Sequence, residues 1–148
     1  MEVKELGHLV LYVHDLERSA HFYGDVLGWR RITPDGLPVA AFSSGRTHHE
    51  LLLIEVGSDA ADIPRGRRVG LYHFGLKIGD SDRELKEVLD HIQAQGVQLV
   101  GTSDHTVTHS LYVKDPDGNE VELYADVPGV DWRNDPELLL SPIRPLSL

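Results

Sequence analysis

Apolar and polar positions along the chain alternate or cluster so as to assign most of it to short strands and two helices. Residues 6–13 (Leu-Gly-His-Leu-Val-Leu-Tyr-Val) are rich in β-branched and aromatic residues and read as a strand. Leu16, Ala20, Phe22, Tyr23 and Leu27 then recur at helical spacing, with Asp15 as N-cap and Gly28 at the C-terminal end. Three shorter strands are predicted at 29–32, 38–43 and 49–56, with Gly36-Leu37 and Ser44-Gly45-Arg46 as the turns between them.

Residues 57–69 are polar, carry Gly and Pro, and read as a linker, after which the pattern restarts. Residues 70–78 form a strand, and Asp80 or Ser81 caps a helix through Gln95 whose apolar stripe is Leu85, Val88, Leu89 and Ile92. Gly96 ends that helix, and strands follow at 97–101, 106–114 and 119–125. Asp115-Pro116-Asp117-Gly118-Asn119 joins the last two, with Pro fixing φ and Gly supplying a positive φ. The chain therefore contains two copies of strand–helix–strand–strand–strand. His8 precedes Asp15 by seven residues and His73 precedes Asp80 by seven, so each copy carries a histidine in its first strand, in register with its helix cap.

The fold class expected is α+β, with module one at 4–57 and module two at 69–126 forming one paired-module domain over 1–126. Residues 127–148 contain four Pro and the run Leu138-Leu139-Leu140. They are expected to form an extended arm on the domain or on a partner subunit, anchored by Trp132.

Composition narrows the chemistry. With 148 residues, 41% apolar and 26% charged, the chain is ordinary for a globular domain. It has no apolar run of about 18 residues to span a membrane. The N-terminus has no basic segment followed by an apolar one, so no secretory leader is expected and the cytoplasm is the expected compartment. Fourteen Lys and Arg against 24 Asp and Glu give a net charge of -10, which disfavours nucleic-acid binding by phosphate neutralisation. Cysteine is absent, so disulfides, thiolate nucleophiles and Cys-type zinc sites are excluded. A metal would be held by His, Asp or Glu, and there are nine His.

Three polar residues interrupt apolar strands: His8, His73 and Glu122. Burying a carboxylate is costly unless a cation or hydrogen bonds compensate it. Two imidazoles and one carboxylate make the facial triad of non-haem Fe(II) sites, and the same donors also take Mn(II), Ni(II) or Zn(II). From the residues alone a second reading stands beside this one. A lone strand histidine is commonly a satisfied core or surface residue, and Glu122 shares a strand face with Glu120, which suits a solvated face equally well.

Gly7-His8 through Asp15-Leu16-Glu17-Arg18-Ser19, with Phe22-Tyr23 and Val26-Leu27-Gly28-Trp29, resembles the opening of vicinal oxygen chelate superfamily modules. Tyr112 through Asp115-Pro116-Asp117-Gly118-Asn119 to Glu122 resembles their closing motif. The resemblance covers about residues 4–126 and extends to a superfamily that includes glyoxalase I, extradiol dioxygenases, fosfomycin-resistance proteins, methylmalonyl-CoA epimerase and bleomycin-binding proteins. It implies two βαβββ modules pairing into a curved mixed sheet around a metal cleft, with His8, His73 and Glu122 as the metal ligands. This fold often assembles as a homodimer.

Within the superfamily, His48-His49-Glu50 through Glu55, residues 69–74, Asp104-His105 and His109 through Tyr112 are similar to the bacterial catechol 2,3-dioxygenase-like group. That similarity implies a ring-cleaving, extradiol dioxygenase using Fe(II), with a small catechol-like aromatic substrate and dioxygen as partners. Tyr112 stands ten residues before Glu122, as in extradiol enzymes, and would donate a hydrogen bond to a substrate oxygen. His105 matches their acid–base histidine at a shorter spacing from Tyr112, and His109 is the second candidate. The competing readings are a glyoxalase-type lyase, isomerase or epimerase and a non-catalytic binding protein of the bleomycin-resistance kind. A lyase would use a fourth ligand from the first module. His49 is one candidate, since it follows Gly45 as Glu122 follows Gly118, each by four residues; Glu55 is the other.

Overall fold

Leu11 and Val13 turn inward from a five-residue strand, β1 (Leu9–Val13), while Val10 and Tyr12 face outward, the alternation of a half-buried strand. The computed structural model describes residues 1–148. They divide into two compact units, Met1–Ile63 and Pro64–Leu148.

In the first unit β1 leads into α1 (Leu16–His21), whose N-cap Asp15 accepts a hydrogen bond from the Arg18 amide. The predicted helix does not run regularly to Gly28. It widens into a π-helical segment at Phe22–Val26, closed by the Leu27 amide donating to the Phe22 carbonyl. Gly24 lies within it, and a Cβ there would come within 3.4 Å of the Phe42 ring. Strands β2 (Val39–Phe42) and β3 (Leu51–Glu55) complete a three-stranded mixed sheet in the order β1-β3-β2, with β1 parallel to β3. The strand expected at 29–32 is reduced to a single bridge between Arg31 and Phe42. Its ladder stops there because the Thr33 hydroxyl takes the next inward amide, that of Ala41, at 3.1 Å.

The second unit repeats the plan in full. Strand β4 (His73–Gly79) is followed by α2 (Asp82–Ala94), β5 (Leu99–Asp104), β6 (Thr108–Lys114) and β7 (Glu120–Asp126), in the sheet order β4-β7-β6-β5. Again the first strand is parallel to the last. Ser81 caps α2 and Glu84 reaches back to the Asp80 amide at 2.9 Å, a reciprocal capping pair. Gly79 is required beside it, since a Cβ would meet Glu84 at 2.8 Å. Leu85 and Ile92 of α2 are fully buried, each contributing about 1.5–3 kcal/mol of apolar burial. Both sheets are mixed, and the class is α+β. No helix is long and apolar enough to cross a membrane.

The β6–β7 turn sets the register of the site strands. Buried Asp115 accepts from the amides of Asp117 (3.0 Å) and Asn119 (2.7 Å) and from the Asn119 side chain (2.8 Å). Gly118 adopts the positive φ of 92° that the turn needs. Asp115→Ala leaves these donors unpaired. It is expected to cost about 1–3 kcal/mol in urea or thermal unfolding, and Asp115→Asn less. An unshifted midpoint in the alanine variant would show that the turn holds without its carboxylate.

The C-terminal segment carries a short 3-10 turn at Pro136–Leu140 and then returns to the sheet, where Arg144 bridges to Asp104. Trp132, the expected anchor, is 39% exposed and stacks under its neighbour Arg133. Backbone hydrogen bonds at Arg144 attach the segment to Asp104.

Candidate metal centre and active site

The site residues of the second unit are gathered by strand register. Tyr112 of β6 is the cross-strand partner of Glu122 of β7, which is what their ten-residue spacing across a tight turn means structurally. On the other side of β7, Glu120 pairs with His73 and Glu122 with Gly75 of β4. Glu120, Glu122 and Tyr124 alternate with the buried Val121, Leu123 and Ala125, so the polar side chains share the face away from the core. Gly75 keeps that face open, since a Cβ there would lie 3.2 Å from the Tyr124 ring and 3.4 Å from Glu122 Oε2.

A continuous polar chain results. Tyr112 donates its hydroxyl to Glu122 Oε1 at 3.0 Å, and His105 Nε2 lies 2.8 Å from the same hydroxyl. A phenol has one proton. With that proton donated to Glu122, the phenol oxygen is left to accept from His105 Nε2–H. Burial, and then the neighbouring Glu122 charge, push the Tyr112 phenol up to about 12, so it stays a donor. Glu122 Oε2, not taken by Tyr112, faces His73 Nε2 at 3.3 Å. The rings of Tyr72 and Tyr112 flank His73, at 4.6 and 5.6 Å between centroids.

His109 is not part of this chain. Three residues from Tyr112 on a strand, it points to the opposite face, where Nδ1 meets Asp82 at 2.5 Å and Nε2 lies 3.5 Å from Asp104. Of the two acid–base candidates, the structure brings His105 to Tyr112 and gives His109 to the start of α2. His105 reaches Tyr112 despite the short spacing because it sits beyond β5, at the edge of a two-residue turn. Its amide donates to Thr108 O at 2.9 Å and its carbonyl accepts from Val107 at 2.8 Å. Thr106 in that turn has φ 71°, a left-handed conformation that costs an L-residue about 1–2 kcal/mol.

In the first unit His8 lies just before β1 rather than within it, and it is exposed. Arg46 holds its approach by donating to the carbonyls of Leu6 (3.1 Å) and Gly7 (3.2 Å). His49 stacks against His8 at 4.6 Å between ring centroids and lies against His48, their Nδ1 atoms 2.6 Å apart. Burial, then the neighbouring His48 and His8, hold the His49 imidazole below its ordinary value.

Neither fourth-ligand candidate stands at the place equivalent to Glu122. His8 matches His73, and Val10, two residues on, pairs with Leu52 just as Gly75 pairs with Glu122. The equivalent position is therefore Leu52, and His49 precedes β3 altogether. Matching the turn glycines misaligns them, because the two turns differ in length before their strands begin. Glu55 is engaged elsewhere, its Oε2 accepting from the Leu16 amide at 2.9 Å at the start of α1.

No three His, Asp or Glu side chains of the chain gather into a complete ligand group. The donors of the second unit nonetheless fit a divalent ion. Neighbouring ligands about 2.1 Å from one ion lie about 3.0–3.4 Å apart, the range of the 3.3 Å between His73 Nε2 and Glu122 Oε2. His73 Nδ1 is buried without a hydrogen bond, and Glu120 Oε1 stands 3.6 Å from it. That is where a carboxylate partner of a metal-bound imidazole belongs. In the sequence Glu120 speaks only for a solvated face; its alternation with Glu122 is the signal from which a supporting role could be read.

The family profile described as Glyoxalase/Bleomycin resistance protein/Dioxygenase superfamily matches residues 5–123. The catechol-2,3-dioxygenase of Bacillus subtilis (strain 168) is 34% identical over 136 residues, covering 92% of this chain and 46% of that protein, so the chain spans about half of its length. A probable lactoylglutathione lyase of Synechocystis sp. (strain ATCC 27184 / PCC 6803 / Kazusa) is 30% identical over 129 residues, covering 80% of this chain and 92% of that protein. Among solved structures, a glyoxalase/dioxygenase from Nostoc punctiforme superposes with a TM-score of 0.68 at 21% identity, over 83% of this chain and 91% of that one, and so shares the fold. The repeated strand plan, the register that opposes Tyr112 to Glu122, and a family match over nearly the whole chain lead to one conclusion: this chain belongs to the glyoxalase/bleomycin resistance protein/dioxygenase superfamily.

Proposed function

We propose that this chain is a ring-cleaving, extradiol-type dioxygenase domain acting on a small catechol-like diol with dioxygen. Its divalent metal, Fe(II) first and Mn(II), Ni(II) or Zn(II) as substitutes, would be held by His73 and Glu122 of the second unit. The observation that carries this reading is the chain His105–Tyr112–Glu122, which ends on the carboxylate whose other oxygen faces His73. When bound, the metal supplies Lewis acidity that lowers the pKa of a diol hydroxyl and holds the reactants together. Tyr112 fixes one oxygen of Glu122 and leaves the other to bind. His105, whose Nε2 lies 2.8 Å from the Tyr112 oxygen, is the imidazole placed to exchange a proton with a substrate hydroxyl. The side chain at the Glu122-equivalent position of the first unit is that of Leu52, which cannot coordinate. That position of the first unit therefore supplies no lyase-type fourth ligand.

Two assays test this. Protein loaded anaerobically with Fe(II) and then mixed with aerated catechols is expected to form yellow ring-fission product, and His73→Ala protein none. The lyase reading is favoured by the similarity to lactoylglutathione lyases of nearly this chain's own length. Turnover of a hemithioacetal by Ni(II)- or Zn(II)-loaded protein, with none of catechols, would move the assignment there.

A further inference from the structure

We propose that the C-terminal segment is a strap that holds the β5–β6 turn, and that Arg144 is the positioning residue that keeps His105 against Tyr112. The inference rests on the role given to His105 above. Arg144 forms an antiparallel bridge with Asp104, the residue before His105. The Asp104 amide donates to the Arg144 carbonyl at 2.9 Å, and the Arg144 amide donates back to the Asp104 carbonyl at 3.0 Å. The Arg144 guanidinium then crosses the turn, lying 3.2 Å from Asp104 Oδ2 and donating to Thr106 Oγ1 at 3.3 Å. Asp104 Oδ1 accepts from the Thr106 amide at 2.7 Å. The turn is thus gripped from the tail side at Asp104 and at the left-handed Thr106, the two residues that flank His105.

The grip has a physical task. Thr106 is β-branched with φ 71°, so the turn does not favour this conformation by itself. His105 is off the end of β5, and its backbone is held only within the turn, by its amide donating to Thr108 and its carbonyl accepting from the Val107 amide. Its ring nevertheless sits at hydrogen-bonding distance from Tyr112. An unstrapped turn would relax Thr106 toward negative φ and carry the His105 ring with it. The exposed guanidinium contributes little by charge alone; the backbone pair supplies the hold.

The test is Arg144→Pro in the full chain, which removes both the amide donor and the guanidinium, with Arg144→Lys as the conservative variant. Arg144→Pro is expected to speed hydrogen exchange of the His105 amide about tenfold or more and to abolish the nuclear Overhauser contacts between the His105 and Tyr112 rings. On catechols it should lower kcat about tenfold while KM and Tm stay near wild type, and Arg144→Lys should restore the wild-type values. Adding Thr106→Gly, which makes the left-handed turn free of strain, should recover most of the lost kcat and the ring contacts. Arg144→Pro protein with wild-type His105 exchange and unchanged ring contacts would overturn the strap. The resonance measurements need no turnover, so they judge it even where catechol cleavage is absent and the catalytic reading fails.

Discussion

Replacing Glu122 with glutamine is expected to lower kcat/KM for catechol cleavage by about a thousandfold or more and to strip Fe(II) from the purified protein. The outcome turns on what the amide keeps and what it loses. The glutamine side chain has nearly the same volume, sits on the same half-buried face of β7, and still offers an oxygen to the Tyr112 hydroxyl, so the pairing that organises the strand survives. It loses the negative charge and the anionic oxygen that faces His73 at 3.3 Å. A neutral amide is a poor ligand for a divalent ion beside a neutral imidazole. Elemental analysis and oxygen consumption give the two readouts, and thermal unfolding confirms that the fold is intact. Wild-type iron content and rate in this variant would remove Glu122 from the metal site.

Tyr112→Phe is expected to lower kcat about a hundredfold while iron content stays near wild type. The hydroxyl it removes is the link between His105 and Glu122. Without it Glu122 Oε1 loses its donor from β6, and His105 Nε2, 3.9 Å from that oxygen, can collapse onto the carboxylate. The imidazole proposed to carry protons would then be tied to the ligand instead. Since the two residues act as one unit, the double variant His105→Asn/Tyr112→Phe should cost little more than either change alone. Stopped-flow single-turnover rates on catechol decide this. Multiplicative losses would mean that Tyr112 and His105 work independently, and a wild-type rate for Tyr112→Phe would end the relay altogether.

The residues legible in the sequence are those fixed by short-range periodicity. Glu122 and Tyr112 fall opposite one another because strand alternation assigns each a face, and because a five-residue Asp-Pro-Asp-Gly-Asn turn leaves one register between β6 and β7, whereas His73 joins them only through the β4–β7 pairing. The same arithmetic separates His109 from Tyr112, since residues three apart on a strand point oppositely; the similarity to a motif obscures it. The helix of the first module is legible as an apolar stripe, but its widening at Phe22–Val26 is not, and there Gly24 packs beside the Phe42 ring of a distant strand.

The repeat itself, two rounds of strand, helix and strands with a histidine at the head of each, was determined by the sequence alone, because hydrophobic period and turn chemistry act over a few residues. Only the tertiary structure decided which residue of the first unit stands where Glu122 stands in the second, and the answer was Leu52 rather than His49 or Glu55. That choice belongs to hydrogen bonding between β1 and β3, strands far apart in the chain, and loop length shifts it without leaving a local trace. Likewise the tail reaches Asp104 through backbone groups, which carry no side-chain signature in a sequence. Faces are encoded locally; pairings across the chain are settled only when the backbone has closed its bonds.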